Sequence, residues 1–199
     1  MAMTCGLGTS PISIAVPGPG DQPLLLDMAT SVVSNGRLRQ AITAGETLPE
    51  GWALDGEGNV TTDPNKAKVI LPLGGPKGSG LSLMFECITG VLAASPLLIM
   101  WADPARRKTV KQSAMLIVLN VETFRPLTDF RRDVGELADA IRTLPLQQGF
   151  ADVLMPGERG DRRAAIRRAE GIPVPAALWK ELTDIAGKLG VAPPTPLAA

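Results

Sequence analysis

The sequence predicts an α/β protein in which a mixed sheet carries flanking helices. Short β-branched or apolar runs alternate with segments of helical period, and turn residues separate them. The 199 residues are 45% apolar and 20% charged, which is ordinary for a globular chain able to bury a core.

"SPISIAVPG" alternates and is β-branched, so it reads as a strand closed by a Pro-Gly turn. "QPLLLD" is a short continuous apolar run and reads as a buried strand ending in Asp27. "TSVVSNGRLRQAITAG" predicts a helix capped by Thr30 or Ser31 and stopped by Gly45, with Gly36 weakening it. "ETLPEGWALDGEGNVTTDPNKA" is polar and turn-rich, too long for a plain connector, and reads as functional or interface material. "KVILPL" predicts a strand, and a buried helix follows from about Leu81 to Ala94. "SAMLIVLNVETF" predicts another buried strand. "LTDFRRDVGELADAIRTL" spaces Phe130, Val134, Leu137 and Ile141 as a helix does, with Thr128 as its cap. "ADVLMPGE" reads as a last short strand, and "RRAAIRRAEG" and "PAALWKELTDIAGKLG" as helices stopped by Gly171 and Gly190. The tail after Gly190 is expected to fray.

Several function classes are disfavoured by composition. Lys plus Arg and Asp plus Glu number 20 each, so no net field draws in nucleic acid or an anionic membrane. Leu81 to Trp101 is long and apolar, but Glu86, Gly90, Ser95 and Pro96 interrupt it, which argues for a buried helix rather than a membrane span. The start lacks the basic end and apolar core of a signal peptide. Cys5 and Cys87 are too few and too far apart for a disulfide framework, so a reducing cytoplasm is expected. There is no histidine, so proton transfer by this chain falls to Asp, Glu, Lys, Cys or water, or to another chain's histidine.

Three loops can carry chemistry. "LPLGGPKGSG" is not a Walker loop, because Gly78 and not Ser or Thr follows Lys77. "GLGTSP" lacks the third glycine of the dinucleotide fingerprint and precedes a strand. The first loop is therefore either a plain turn with a solvated lysine, or one whose backbone approaches an anion beside Lys77. Asp27, at a strand end, either receives ribose hydroxyls or caps the next helix. In "MPGERGDRR", Glu158 and Asp161 either complement a helix dipole or belong to a ligand turn.

Taken in order, "GTSPISIAVPG", "LDMATSVVSNGRL", "LPEGWALDGEGNVTTDP", "LPLGGPKGSGLSLM" and "MPGER" resemble the malate/L-lactate/ureidoglycolate dehydrogenase family. The resemblance runs from Gly6 to about Leu189 and is weakest over "LLIMWADPARRKTVKQ". It implies a non-Rossmann NAD(P)-binding architecture. Residues 1–150 would form the cofactor-binding α/β region, and 151–199 a turn and helices that close over the cofactor and pack on the rest. It further implies cofactor contacts from Asp27, Met28, Ala29 and Lys77, and from Gly157, Glu158, Arg159, Gly160, Asp161 and Arg162. Thr9 would lie beside the substrate, with Ser10 standing where the family has asparagine.

The family's proton-donating histidine, in a Ser-His-Gly motif, and its substrate-carboxylate arginine fall in an amino-terminal region that these residues do not match. The chain thus resembles a truncated member, with Met1 to Cys5 similar to an internal segment and no catalytic residue of its own. In the imine-reducing branch an aspartate falls where Arg37 stands here, which favours the hydroxy-acid branch over a cyclic imino acid reductase relative. The expected activity is hydride transfer between NAD or NADP and a small 2-hydroxy/2-oxo acid, with no metal. The chain would work as a homodimer or beside a complementing amino-terminal chain. The competing expectation is a catalytically inactive dinucleotide-binding or interaction remnant.

Overall fold

The computed structural model describes residues 9–97, 105 and 112–197. The chain divides into two compact units, Met1–Val134 and Gly135–Ala199. Among the described residues no helix is long and apolar enough to cross a membrane. Met1–Cys5 and most of "LLIMWADPARRKTVKQ" lie outside the described residues.

The first unit opens with an antiparallel ribbon of β1 (Ile12–Val16) and β2 (Leu24–Met28), in register from Ile12 opposite Met28 to Val16 opposite Leu24. At the turn, a Cβ on Gly18 would lie 2.6 Å from the Gln22 carbonyl oxygen, so the return is too tight for a side chain. β2 was expected to be buried, yet Leu25 and Leu26 are exposed. A two-stranded ribbon has no second layer to cover its faces.

Helix α1 (Asn35–Ala44) is capped by Ser34, whose hydroxyl accepts the Arg37 N–H at 3.2 Å. This corrects the expected cap at Thr30 or Ser31, which are buried in the loop before it. Gly36 falls in the first turn. The expected stop holds: Gly45, at φ 65°, turns its N–H onto the Ala41 and Ile42 carbonyls. Ser34→Ala should lower stability by about 1 kcal/mol, the usual worth of such a cap, as read from urea unfolding.

The polar stretch that followed the helix in the sequence reading is partly sheet. β3 (Ala53–Leu54) pairs antiparallel with β4 (Val60–Thr61) on one side and with β5 (Val69–Ile70) on the other. Asp55 forms the turn between β3 and β4 by accepting the N–H groups of Glu57 and Asn59, each at 2.9 Å. The bond from Asn59 is the main cause that holds this carboxyl below its ordinary pKa. Ala41, Leu48 and Ala53 form a small buried core, with Leu38, Trp52 and Ala67 packed against it.

Helix α2 (Pro76–Glu86) begins five residues before the predicted Leu81, because Gly75 (φ 62°) caps it and Pro76 takes its first turn. It runs on as a π-helical turn over Cys87–Val91. Its burial is the reverse of the expectation. Gly78, Ser82, Glu86 and Gly90 face inward, while Leu81, Met84, Ile88 and Leu92 form an exposed stripe on the opposite side. The predicted strand at 113–124 is also corrected. Met115 to Leu119 are exposed, and Asn120 then caps a 3₁₀ turn over Val121–Thr123.

Helix α3 (Leu127–Arg142) follows the predicted span, with Thr128 inside it rather than capping it. Gly135 and Ala138 are buried, Phe130, Val134 and Ile141 half-buried, and Leu137 exposed. In the second unit, "ADVLMPGE" forms no strand. It runs irregularly into a turn at Gly157 (φ 99°), which starts α4 (Glu158–Glu170). Gly171 ends α4 as predicted, and α5 (Ala176–Leu189) closes on a left-handed Gly190.

Candidate functional site

The centre of the first unit is a backbone junction just after β2. Thr30 donates its N–H and its hydroxyl to the Thr9 carbonyl, at 2.9 and 3.1 Å. Its own carbonyl accepts the Leu73 N–H at 2.9 Å, and Val32 donates to Leu71 at 2.9 Å, so residues 30–32 lie between Thr9 and the Leu71–Leu73 strand end. Thr30 is 1% exposed, and its bonds to Thr9 and Leu73 lie within this junction. Gly78 N–H donates to the Leu73 carbonyl at 2.8 Å. A Cβ at Gly78 would lie 2.4 Å from that oxygen, and 2.6 Å from both the Leu73 nitrogen and the Thr30 oxygen. No side chain fits there. Ser82 on α2 reaches back to Ser10, hydroxyl to hydroxyl at 2.9 Å. Ser10 is a non-glycine residue at φ 29°, a strained position of the kind that surrounding bonds must hold.

Five of the residues singled out from sequence meet at this junction or enter it. Thr9 supplies the accepting carbonyl. Asp27 stands opposite Ser13 in the ribbon with its side chain exposed, and Met28 and Ala29 are the half-buried residues leading to Thr30. Lys77 is exposed in the first turn of α2, one residue before Gly78. The cap role considered for Asp27 belongs to Ser34 instead. Thr30, Gly78, Ser82 and Ser10 hold the junction, although the sequence offers Thr30 only as a helix cap, Gly78 and Ser10 only as departures from known motifs, and Ser82 not at all. The visible signal was the glycine spacing around Lys77, but the bonds join residues 21 and 72 positions apart.

The other predicted residues form a separate set in the second unit. Gly157 caps α4. The Glu158 carboxylate accepts the Met155 N–H at 3.0 Å and a short bond from the Arg142 guanidinium. The Met155 N–H, followed by Arg142, holds the Glu158 carboxyl below its ordinary pKa, and Glu158 in turn raises that of Arg142. Arg162 pairs with Asp152 at 2.7 Å. Arg159, Gly160 and Asp161 are exposed on the first turn of α4. Because the Glu158 pKa is depressed on folding, its stabilisation is complete above the ordinary glutamate value. It is lost as pH falls through the lowered one. The protection factor of the Met155 amide, its exchange rate corrected for the intrinsic pH dependence, should therefore fall on acidification below about pH 4.3, where an unperturbed glutamate titrates, and Glu158→Gln should flatten that dependence. An unchanged profile in the variant would assign the effect to another carboxylate.

A cavity of about 340 Å³ lies beside the ribbon turn, lined by Gly18, Asp21 and Arg131 among others, and one of about 210 Å³ lies between α1 and the β4 turn. Neither includes a residue of the junction. Among the described residues no group of three or more His, Cys, Asp or Glu could hold a metal ion.

The profile of the malate/L-lactate dehydrogenase family matches residues 1–183. The chain is 35% identical over 198 residues to a malate dehydrogenase of Pyrococcus horikoshii, covering 93% of this chain and 54% of that one. It is 32% identical over 179 residues to the ureidoglycolate dehydrogenase (NAD(+)) of Escherichia coli K12, covering 88% and 51%. Its fold superposes on the crystal structure of malate dehydrogenase from Entamoeba histolytica with a TM-score of 0.81 at 25% identity, over 93% of this chain and 56% of that one. The chain thus spans about half the length of the curated relatives it matches. It belongs to the malate/L-lactate dehydrogenase family.

Proposed function

We propose that this chain is the dinucleotide-binding part of an NAD(P)-dependent oxidoreductase acting on a small 2-hydroxy/2-oxo acid. The observation that carries the reading is the junction of Thr9, Asp27–Thr30 and Leu71–Gly78. A dinucleotide asks for a cation at its phosphates, an acceptor at a ribose hydroxyl and backbone that can approach closely. Lys77 is an exposed cation at a helix start, where the dipole favours anions. Asp27 is an exposed carboxylate at the end of β2. Gly75 has open space around its missing Cβ, so the loop's backbone is not screened. The residues fit.

In this reading Lys77 neutralises phosphate charge, Asp27 accepts from a ribose, Met28 and Ala29 shape the floor, and Thr9 sets the substrate side. In the second unit, the Gly157–Arg162 turn presents Arg159, Gly160 and Asp161 outward, with Glu158 holding the turn. The bound nicotinamide supplies a hydride at its C4. Proton transfer comes from outside this sequence, from a complementing chain that carries a histidine, in the cytoplasm, and a second copy of this chain would not supply it. A hydroxy acid is favoured over a cyclic imine because Arg37, an exposed cation, pairs with Glu46 at 2.7 Å and offers no carboxylate to a histidine.

Lys77→Ala should weaken NADH or NADPH binding by about 1–3 kcal/mol, the worth of a charge-assisted hydrogen bond. Lys77→Arg should keep most of the affinity. Calorimetric titration checks both, and an unchanged dissociation constant in Lys77→Ala would remove the lysine from the site.

A further inference from the structure

We propose that the cavity beside the ribbon turn binds a small monocarboxylate with an apolar body, held by Arg131. Its volume of about 340 Å³ suits a small molecule. Its wall is apolar where Ala15, Pro17 and Pro23 stand, and charged where Asp21 and Arg131 line it. Arg131 belongs to α3, where the neighbouring charges leave it out. Asp133 accepts from Arg125 and Arg132, and Asp129 from Arg132. Among the described residues Arg131 makes no ion pair, and its Nε is buried without a hydrogen-bond partner. A guanidinium cannot shed its charge, and a buried N–H with no acceptor costs stability. This atom asks for a ligand.

The chemistry of the donor selects the ligand. The Nε–H and one Nη–H of an arginine lie parallel and match the two oxygens of a carboxylate. The unpartnered Nε is one prong of that fork. Asp21 does not fill it, since it lines the same cavity, is exposed, and forms no ion pair with Arg131 among the described residues. Its negative charge instead disfavours a ligand with a second anionic group, such as a phosphate or a dicarboxylate. The prolines and Ala15 reward an apolar body, because they remove its surface from water. At Gly20, also in the wall, nothing lies within 4 Å of a Cβ position, so no side chain already occupies that side. None of the lining residues belongs to the junction of Thr9, Thr30 and Gly78, and the inference does not rest on the cofactor reading.

The test follows the Arg131 Nε–H signal by heteronuclear NMR while the chain is titrated with isovalerate, acetate or malate. Isovalerate should move that signal and bind at least about tenfold more tightly than acetate, whose apolar body is smaller. Malate, with its second carboxylate, should bind there more weakly than isovalerate. Arg131→Met keeps the aliphatic stem and removes the fork, and should weaken isovalerate binding at least about tenfold. Arg131→Lys keeps the charge without the fork and should recover only part of the loss. Because Arg131 has no acceptor to lose, Arg131→Met should melt at or above the wild type, which separates lost binding from lost folding. Arg132→Gln, next along the helix but paired with Asp129 and Asp133, should bind isovalerate normally. An Nε–H signal that does not move would overturn the proposal. So would full binding by Arg131→Met, malate binding there as tightly as isovalerate, or an Arg131→Met chain that melts below the wild type.

Discussion

Replacing Gly78 with alanine should cost more than about 3 kcal/mol and abolish dinucleotide binding. The new methyl would lie 2.4 Å from the Leu73 carbonyl oxygen and 2.6 Å from the Thr30 carbonyl oxygen. Both are backbone atoms, fixed by the bonds Gly78 to Leu73 and Leu73 to Thr30, so neither can rotate away. Overpacking a well-fitted site costs about 1–3 kcal/mol where side chains can give, and more where they cannot. At about 2–4 °C per kcal/mol for a chain of this size, the melting temperature should fall by roughly 6–12 °C. Gly80 is the internal control. It sits on the same helix with nothing within 4 Å of its missing Cβ. Gly80→Ala should hold or slightly raise stability, since alanine is the better helix former by about 1 kcal/mol. If both variants melt with the wild type, the junction is not as tight as the geometry says.

The second large effect concerns turnover. Reducing a 2-oxo acid with a hydride leaves an alkoxide that needs a proton as it forms, and a placed acid contributes about 10²–10⁴-fold. The chain contains no histidine, and its relatives are about twice its length. Purified alone, it should turn over malate, lactate or ureidoglycolate at least about 100-fold below a complete enzyme. Nicotinamide absorbance with a panel of 2-hydroxy and 2-oxo acids is the assay. Turnover at a full enzyme's rate would mean that a proton donor lies within these residues, and Lys77 and Glu158 would be the first to substitute.

The elements that were legible in the sequence are those whose signals are local. β1 announces itself by alternation, and Gly45, Gly171 and Gly190 stop their helices where the glycine stands. α3 shows its period. Thr30 was misread as a cap because its hydroxyl suits one, but a bond to Thr9, 21 residues back, claims it, and Ser34 caps instead. β3, β4 and β5 are two residues each, too short to show a period against the turn residues around them. Burial was misread wherever it depends on what lies beside an element. "LLLD", "AMLIVL" and the α2 stripe are apolar enough for a core, yet all three are exposed. Composition reports what a segment can bury, not whether the covering layer is in the same chain.

For the candidate site, the motifs marked Thr9, Asp27 and Lys77, residues far apart in sequence that the first unit brings to one junction. The bonds that bring them together were invisible, because hydroxyl and backbone pairing between distant loops leaves no periodic trace.

The central claim is that this junction is a dinucleotide site. Its most direct measurement is hydrogen exchange of the chain with and without saturating NADH or NADPH, resolved by residue. The account predicts slowed exchange at two places together, residues 28–33 and 73–80, with Lys77→Ala reducing the effect at both. Protection confined to the ribbon-turn cavity beside Arg131, or no change anywhere in the first unit, would contradict it.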